Sequence, residues 1–383
     1  MSGLSFELSE AQIAVREMAR LFADEQMAAQ AGQWDREKFF PVETLRAAAA
    51  LGMGGIYVDE AYGGSGLSRL EAALIIEALA TACPSIASYL SIHNMVAGMI
   101  DRYGDDAQRS RYLPKLCSMT QLASYCLTEP SAGSDAASLR TKAVRQGDFY
   151  IVNGVKQFIS GAGAADLYAV MVRTGEEGPK GISTLIIERD RPGLSFGVNE
   201  HKMGWNAQPT RQVIMEDVPV PVANRLGPEG IGFKIAMAGL DGGRVNIAAA
   251  SLGGAQAAFD KAREYLSSRQ AFGQSLSAMQ ALQFRLADMA TELEVARTFL
   301  WRAATALDAK APDATKLCAM AKKFVTDTGF EVANQALQLH GGYGYLADYG
   351  IEKIVRDLRV HQILEGTNEI MRLIIARGLV SPH

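Results

Sequence analysis

The periodicity of the apolar residues changes twice along the chain, and the order of those changes restricts the fold more than any single motif. Ser9 with Gln12 three residues later reads as a capping box ahead of Ile13, Met18, Leu21 and Phe22, so a helix starts there. Pro41 opens a second helix that Gly52 stops, and helical spacing recurs near Leu70–Ala82, Ile86–Tyr103 and Asp105–Leu116. Near Gln121 the texture turns to β-branched and aromatic runs broken by Gly, Asn and Pro: Phe149–Ile159, Leu167–Val172, Ser183–Ile187 and Gln212–Met215. After Gly230 long Ala/Leu/Met-rich segments resume at Phe233–Ser267, Met279–Leu307 and Asp313–Leu339. Helices, then strands, then helices, with no βαβ alternation, predict an α+β chain that is mostly α. The expected domains are an N-terminal helical domain over 1–120, a middle β domain over 121–228 and a C-terminal helical bundle over 229–383.

Composition narrows the function classes. With 38 Lys+Arg against 42 Asp+Glu, no global positive field exists to hold a nucleic-acid backbone or an anionic membrane, so neither is an expected partner. Cys83, Cys117, Cys126 and Cys318 lie far apart with no C-x-x-C pair, which leaves no zinc or redox motif; no metal is expected. The start, Met1-Ser2-Gly3-Leu4, shows no basic segment followed by an apolar one. It is expected to be a cytosolic terminus, cytoplasmic in a bacterium, or that of a mature chain in the mitochondrial matrix. The uncharged stretch Ala78–Ile100 raises the question of a membrane span, but Pro84, Ser85, Ser88, Ser91, His93 and Asn94 make it a buried helix of a soluble protein.

Gly161-Ala-Gly163-Ala-Ala-Asp166 superficially suggests a dinucleotide fingerprint, yet the next segment reads as a strand and not as the helix whose N-terminus would face a pyrophosphate. No P-loop, H-E-x-x-H or G-x-S-x-G element is present.

Three stretches carry chemistry. Tyr125-Cys-Leu127-Thr128-Glu-Pro-Ser-Ala-Gly-Ser134-Asp135 places hydroxyls and turn elements where the helical and β parts meet; it can join domains or bond a flat ring and a phosphate. Arg269-Gln-Ala-Phe272-Gly273, followed by Met279-Gln280, pairs a cation with an aromatic and a helix-ending glycine. Gln338-Leu-His340-Gly341-Gly342-Tyr-Gly344 offers glycines that end a helix and let a phosphate approach the backbone. The most informative run is Ile363-Leu364-Glu365-Gly366-Thr367-Asn368-Glu369, where Thr367 can cap the next helix and Glu365 stands before a glycine.

Together these motifs resemble the acyl-CoA dehydrogenase family across almost the whole chain. The resemblance implies a middle β-barrel or sandwich and a C-terminal four-helix bundle. It implies FAD as cofactor, an acyl-CoA substrate, electron-transfer flavoprotein as electron acceptor, and a homotetramer. Glu365 is then the base that removes the proton α to the thioester carbonyl, while the β-hydrogen leaves as hydride to flavin N5. Residues implied to contact FAD are Tyr125, Leu127, Thr128, Ser134, Phe158 and Ser160, with Thr367, Asn368 and Glu369. Arg269, Phe272, Met279, Gln280, Gln338, His340, Gly341 and Gly342 are implied to contact it too, and the Arg269 segment would serve a neighbouring subunit. Ser134, Asp241, Gly242, Gly243, Arg244, Gly366 and Arg377 are implied on the substrate side.

Two departures matter. Some members carry the base one residue before the arginine that contacts CoA, and that position here is Gly243, which leaves Glu365 as the family-consistent base. Phe158 and Ser160 stand where many relatives have Trp and Thr; Phe keeps the aromatic wall and Ser the hydroxyl. Within the family, the 338–349 stretch and Asp241-Gly-Gly-Arg244 look most like the isobutyryl-CoA dehydrogenase branch of valine breakdown. Gly242 and Gly243 are expected to leave lateral room for an α-methyl group. Short straight-chain or 2-methylbutyryl thioesters remain alternatives, as do a flavin oxidase or monooxygenase on the same fold and a non-catalytic FAD-containing binding protein.

Overall fold

Ser9 caps the first helix as its spacing predicts: its hydroxyl accepts from the Gln12 amide, and Gln12 returns a bond to the Ser9 N–H. The computed structural model describes residues 7–380; Met1–Leu4, read above as the terminus, lie outside the described residues. Helices α1 (Glu10–Phe22), α2 (Ala31–Glu37), α3 (Val42–Ala50), α4 (Arg69–Ala80), α5 (Pro84–Tyr103) and α6 (Asp106–Cys117) form the N-terminal third. Ser68 and Asp105 start α4 and α6 with further capping boxes. The sequence did not single out α2, because it opens on Ala-Gly without a capping side chain and buries little beyond Ala31, Trp34 and Asp35.

The strands are β1 (Ala123–Cys126), β2 (Lys142–Gln146), β3 (Phe149–Ser160), β4 (Leu167–Arg173), β5 (Ile182–Glu188), β6 (Leu194–Phe196), β7 (Thr210–Pro221) and β8 (Arg225–Leu226). They form one sheet in the order β6-β7-β3-β2-β4-β5-β8, with β1 added in parallel beside β4. The β3–β7 ladder breaks register between Lys156 and Ile159, and inside that bulge Phe158 takes φ +58°. A bulge re-aims the side chain it carries, and the Phe158 ring stands largely exposed. Gly161 serves packing, since a Cβ there would meet Tyr89 Cε2 at 2.4 Å, and β4 follows it as the sequence predicts.

Beyond the sheet lie α7 (Gly232–Ser268), a small hairpin of β9 (Gln270–Ala271) and β10 (Gln274–Ser275), α8 (Gln280–Asp308), α9 (Ala314–Leu339), α10 (Ile351–Arg359) and α11 (Asn368–Val380). The long α7 is the hub: it packs on α4, α5, α8, α9 and β5, and its middle from Gly242 to Ala255 is buried throughout. Two of the polar residues that argued against a membrane span tie the helix to its neighbours. Asn94 accepts from the Ile56 N–H and donates to the carbonyls of Met53 and Leu90, and His93 bridges the Leu116 carbonyl and the Ala123 amide. Among the described residues no helix is long and apolar enough to cross a membrane.

Candidate active site

A cavity of about 1060 Å³ opens between the sheet and the C-terminal helices. One wall comes from the end of β1 and from β3: Tyr125, Leu127, Thr128, Ser134, Phe158 and Ser160 all line it. The opposite wall brings Leu240, Arg244 and Ile247 from α7 and the Ile363–Gly366 turn before α11, with Arg377 from α11 itself. Segments separated by more than two hundred residues in sequence thus share one space, large enough for a cofactor-sized molecule.

The sheet-side wall is built on a buried ion pair that sequence reasoning missed. Lys156 Nζ donates to Glu129 Oε1 at 2.8 Å and to the Leu127 carbonyl at 3.1 Å. Glu129 also accepts from the N–H groups of Arg140 and Thr141 at 2.6 and 2.9 Å. Burial works against the Glu129 charge, but Lys156 overrides it and holds the carboxyl below its usual range. Breaking such a pair by removing one partner leaves a buried charge uncompensated. The loop that presents Leu127 and Thr128 is therefore fixed from behind. The alternating pattern of β3 could have flagged Lys156 as facing the core.

Glu365 sits on the helical wall with its Oε2 shut from solvent and without a hydrogen-bond partner among the described residues. Burial pushes its carboxyl up to about 7, against the pull of Arg244 and Lys322. Tyr125 Oη, across the cavity, is likewise buried and unpartnered, and burial with the Glu365 charge nearby raises its phenol well above the ordinary value. Unsatisfied buried polar atoms on facing walls mark a space meant to hold a polar molecule.

The glycines at 242 and 243 do something other than the expected opening for an α-methyl group. A Cβ on Gly243 would stand 2.5 Å from Glu365 Oε2 and 2.9 Å from its Cδ; one on Gly242 would stand 2.6 Å from Arg69 Nη1. The room they leave is taken by the carboxylate and by a guanidinium, and neither glycine lines the cavity. Asp241 also faces away from it, accepting from Arg244 Nη1 at 2.7 Å and from Thr315 Oγ1 at 2.7 Å, so it orients Arg244. Arg244 in turn donates through Nε to the Glu365 carbonyl at 3.3 Å.

After the turn, Thr367 Oγ1 accepts from the Ile370 N–H, the capping bond its position predicts. The Asn368 amide is engaged with Lys322, Thr326 and Asp327, and Glu369 is exposed and paired with Arg372. None of these three lines the cavity.

The other residues expected around the cofactor gather elsewhere. Arg269, His340, Gly341 and Gly342 line a second cavity of about 460 Å³ together with Tyr265 and Tyr343. Tyr265 stacks on His340 at 4.5 Å and Arg269 lies 5.5 Å over the Tyr343 ring. Gly341 follows the end of α9 at φ +59°, and both glycines have open space where a Cβ would project. Gly273 is not a helix end. Helix α7 stops at Ser268, and Phe272 and Gly273, at φ +52° and +76°, are the two turn residues of the β9–β10 hairpin. Phe272 is 93% exposed. Met279 is the N-cap residue of α8, without a side-chain capping bond, and Gln280 at the start of α8 and Gln338 near the end of α9 are both exposed.

The residues present fit FAD. The large cavity offers an aromatic wall, three hydroxyls at Thr128, Ser134 and Ser160 and an orphaned phenol, while the second cavity supplies an arginine beside two unobstructed glycines.

Comparison with known proteins identifies the family. The chain matches the acyl-CoA dehydrogenase N-terminal domain over 9–120, the middle domain over 124–218 and the C-terminal domain over 230–380. It is 57% identical over 376 residues to the mitochondrial isobutyryl-CoA dehydrogenases of Bos taurus and of Dictyostelium discoideum, covering 98% of this chain and 90% of each relative. The solved butyryl-CoA dehydrogenase from Megasphaera elsdenii superimposes with a TM-score of 0.96 at 37% identity, covering 99% of this chain and all of that one.

Proposed function

Because the chain belongs to the acyl-CoA dehydrogenase family, we propose that it is an isobutyryl-CoA dehydrogenase in which Glu365 takes the α-proton of the thioester. The reaction class is FAD-dependent α,β-dehydrogenation of an acyl-CoA. FAD, when bound, accepts the β-hydrogen as hydride. The residues that would hold it are Tyr125, Leu127, Thr128, Ser134, Phe158 and Ser160 on the sheet wall. Arg269, Phe272, Met279, Gln280, Gln338, His340, Gly341 and Gly342 would serve the cofactor of a neighbouring copy in a homotetramer. Thr367, Asn368 and Glu369, expected on the cofactor side, lie at the start of the helix behind the turn, where Thr367 caps it, Asn368 bonds Lys322 and Glu369 pairs with Arg372.

The observation that carries the mechanism is the placement of Glu365, which lines the cavity with its Oε2 buried and without a hydrogen-bond partner among the described residues. A base must be unprotonated yet strong enough to take a carbon-bound proton, and a carboxyl pushed to about 7 meets both needs near neutral pH. Its position against Gly243 fixes the carboxylate between α7 and the cavity. Arg244, buried and oriented by Asp241, presents a fixed positive charge to the same space. The apolar lining from Met95, Leu240 and Ile247 excludes water from the acyl group.

Isobutyryl-CoA is chosen over other short thioesters because the two relatives at 57% identity carry that substrate in their names. Electrons would then pass to electron-transfer flavoprotein. The deciding experiment is anaerobic bleaching of the visible flavin band by isobutyryl-CoA, butyryl-CoA and 2-methylbutyryl-CoA, in the wild type and in Glu365→Gln. Bleaching in wild type alone, fastest with isobutyryl-CoA, is expected; faster bleaching by another thioester would reassign the substrate. Yellow protein that no thioester bleaches would overturn the proposal.

A further inference from the structure

Two buried cations hold consecutive carbonyl groups of the turn that carries Glu365. Arg244, from α7, donates to the Glu365 carbonyl at 3.3 Å; Lys322, from α9, donates through Nζ to the Gly366 carbonyl at 2.8 Å. Lys322 is fully buried, and its second bond goes to Asn368 Oδ1 at 2.9 Å, at the start of α11. Asn368 in turn donates to Asp327 Oδ1 at 2.7 Å and to Thr326 Oγ1 at 3.0 Å. One ammonium group thus ties α9 to the turn and to the first residue of the helix after it.

We propose that Lys322 is a positioning residue for the reaction: its ammonium group fixes the Glu365–Gly366 turn and keeps the Glu365 carboxylate in its ionised, proton-accepting form. The proposal rests on Glu365 being the base.

The backbone needs such a clamp. Glu365 has φ +56° and Gly366 φ +87°, and a non-glycine residue in that region is strained and persists only where the surroundings over-determine it. Burying a lysine is costly as well, and the bonds Lys322 makes go to a carbonyl and an amide, not to a carboxylate. The negative charge of Glu365 favours the Lys322 ammonium, Arg244 opposes it, and Asp327 and Glu369 add to the effect. Burial alone would pull Lys322 down further than its value of about 7. His361, close by and buried, stays neutral, because burial and the Lys322 charge both push it down to about 3. Glu365 and Lys322 titrate in the same range, so loss of the charge on one, by protonation of Glu365 or deprotonation of Lys322, weakens the tendency of the other to stay charged.

The test uses the FAD holoenzyme. Difference infrared titration follows the protonated carboxyl band of Glu365, assigned by its loss in Glu365→Gln, in wild type, Lys322→Met and Lys322→Arg. Removing the cation is expected to raise the Glu365 midpoint by about one pH unit and to turn a broad coupled titration into a simple one. Arginine stays charged throughout and is expected to leave the midpoint at or below that of wild type. The pH dependence of flavin bleaching by isobutyryl-CoA should move with the midpoint. If Lys322→Met binds FAD but its midpoint is unchanged or lower, Lys322 is structural and the proposal falls. If Lys322→Met does not fold, the same judgement passes to Lys322→Arg: a midpoint above wild type would overturn the proposal. Failure of wild type itself to bleach would instead count against Glu365 as base, so the two failures are distinguishable.

Discussion

Two turns in this chain use the same backbone device, a non-glycine residue at positive φ followed by a glycine at positive φ. At Glu365-Gly366 the angles are +56° and +87°, and at Phe272-Gly273 they are +52° and +76°. Their surroundings are opposite. The first is clamped by Arg244 and Lys322, and its side chain is pressed against Gly243. The second stands at the tip of a two-stranded hairpin, with its phenylalanine 93% exposed and nothing within 4 Å of a Cβ at Gly273. One strained turn is finished by its own chain. The other keeps a costly conformation and leaves its aromatic ring exposed, which is the surface that the proposed neighbouring copy would cover.

The contrast can be broken most sharply at the base. Glu365→Gln is expected to slow flavin bleaching by about 10²- to 10⁴-fold while the protein stays yellow, measured by anaerobic stopped flow. A smaller loss would mean that the clamped turn does not carry the proton transfer. Next, Gly243→Ala should cost about 10- to 100-fold in the same rate, because its methyl group must displace the carboxylate. Unchanged kinetics would show that the carboxylate moves freely and that the clamp is loose.

The exposed turn predicts a different readout. Arg269→Ala and Phe272→Ala are expected to weaken FAD retention on dilution by about tenfold or more, as loss of an interface anchor does. The melting temperature of the FAD-free protein at low concentration should hardly change, since both side chains are exposed within one chain. FAD held equally well by Phe272→Ala at all protein concentrations would argue against a neighbour's cofactor at this turn.

The mildest effect is that of pH on the wild type. If Glu365 is the base it works only when unprotonated, so the bleaching rate should rise with pH up to about 7 and level off above it, less steeply than about tenfold per pH unit because Lys322 titrates in the same range. A flat profile between pH 6 and 8 would place the carboxyl well outside that range.

Much of this molecule was legible in one dimension, and the reasons are local. The capping box at Ser9, Pro41 at the start of α3 and β-branched alternation in β3 are short-range preferences that tertiary packing had no cause to override. The long C-terminal helices were found within a residue or two of their ends for the same reason. Short, polar strands such as β2, β6 and β8 were not singled out, because they owe their conformation to the neighbours they pair with. The glycine at 273 reads equally well as a helix end or a hairpin turn, and only the pairing of Gln270–Ala271 with Gln274–Ser275 decides between them.

The sequence by itself determined the order of the domains and the family resemblance, and it singled out Glu365 as the candidate base. Those depend on residue type and spacing along the chain. Tertiary structure decided everything that depends on what meets across it. It put Glu365 into the space of Gly243, placed Lys156 under the Leu127–Thr128 loop, and brought Lys322 to the Gly366 carbonyl forty-four residues away in sequence. The reason is electrostatic. A carboxyl at the end of Ile-Leu-Glu is an ordinary acid until burial removes its water and two cations set how far its affinity for a proton can rise.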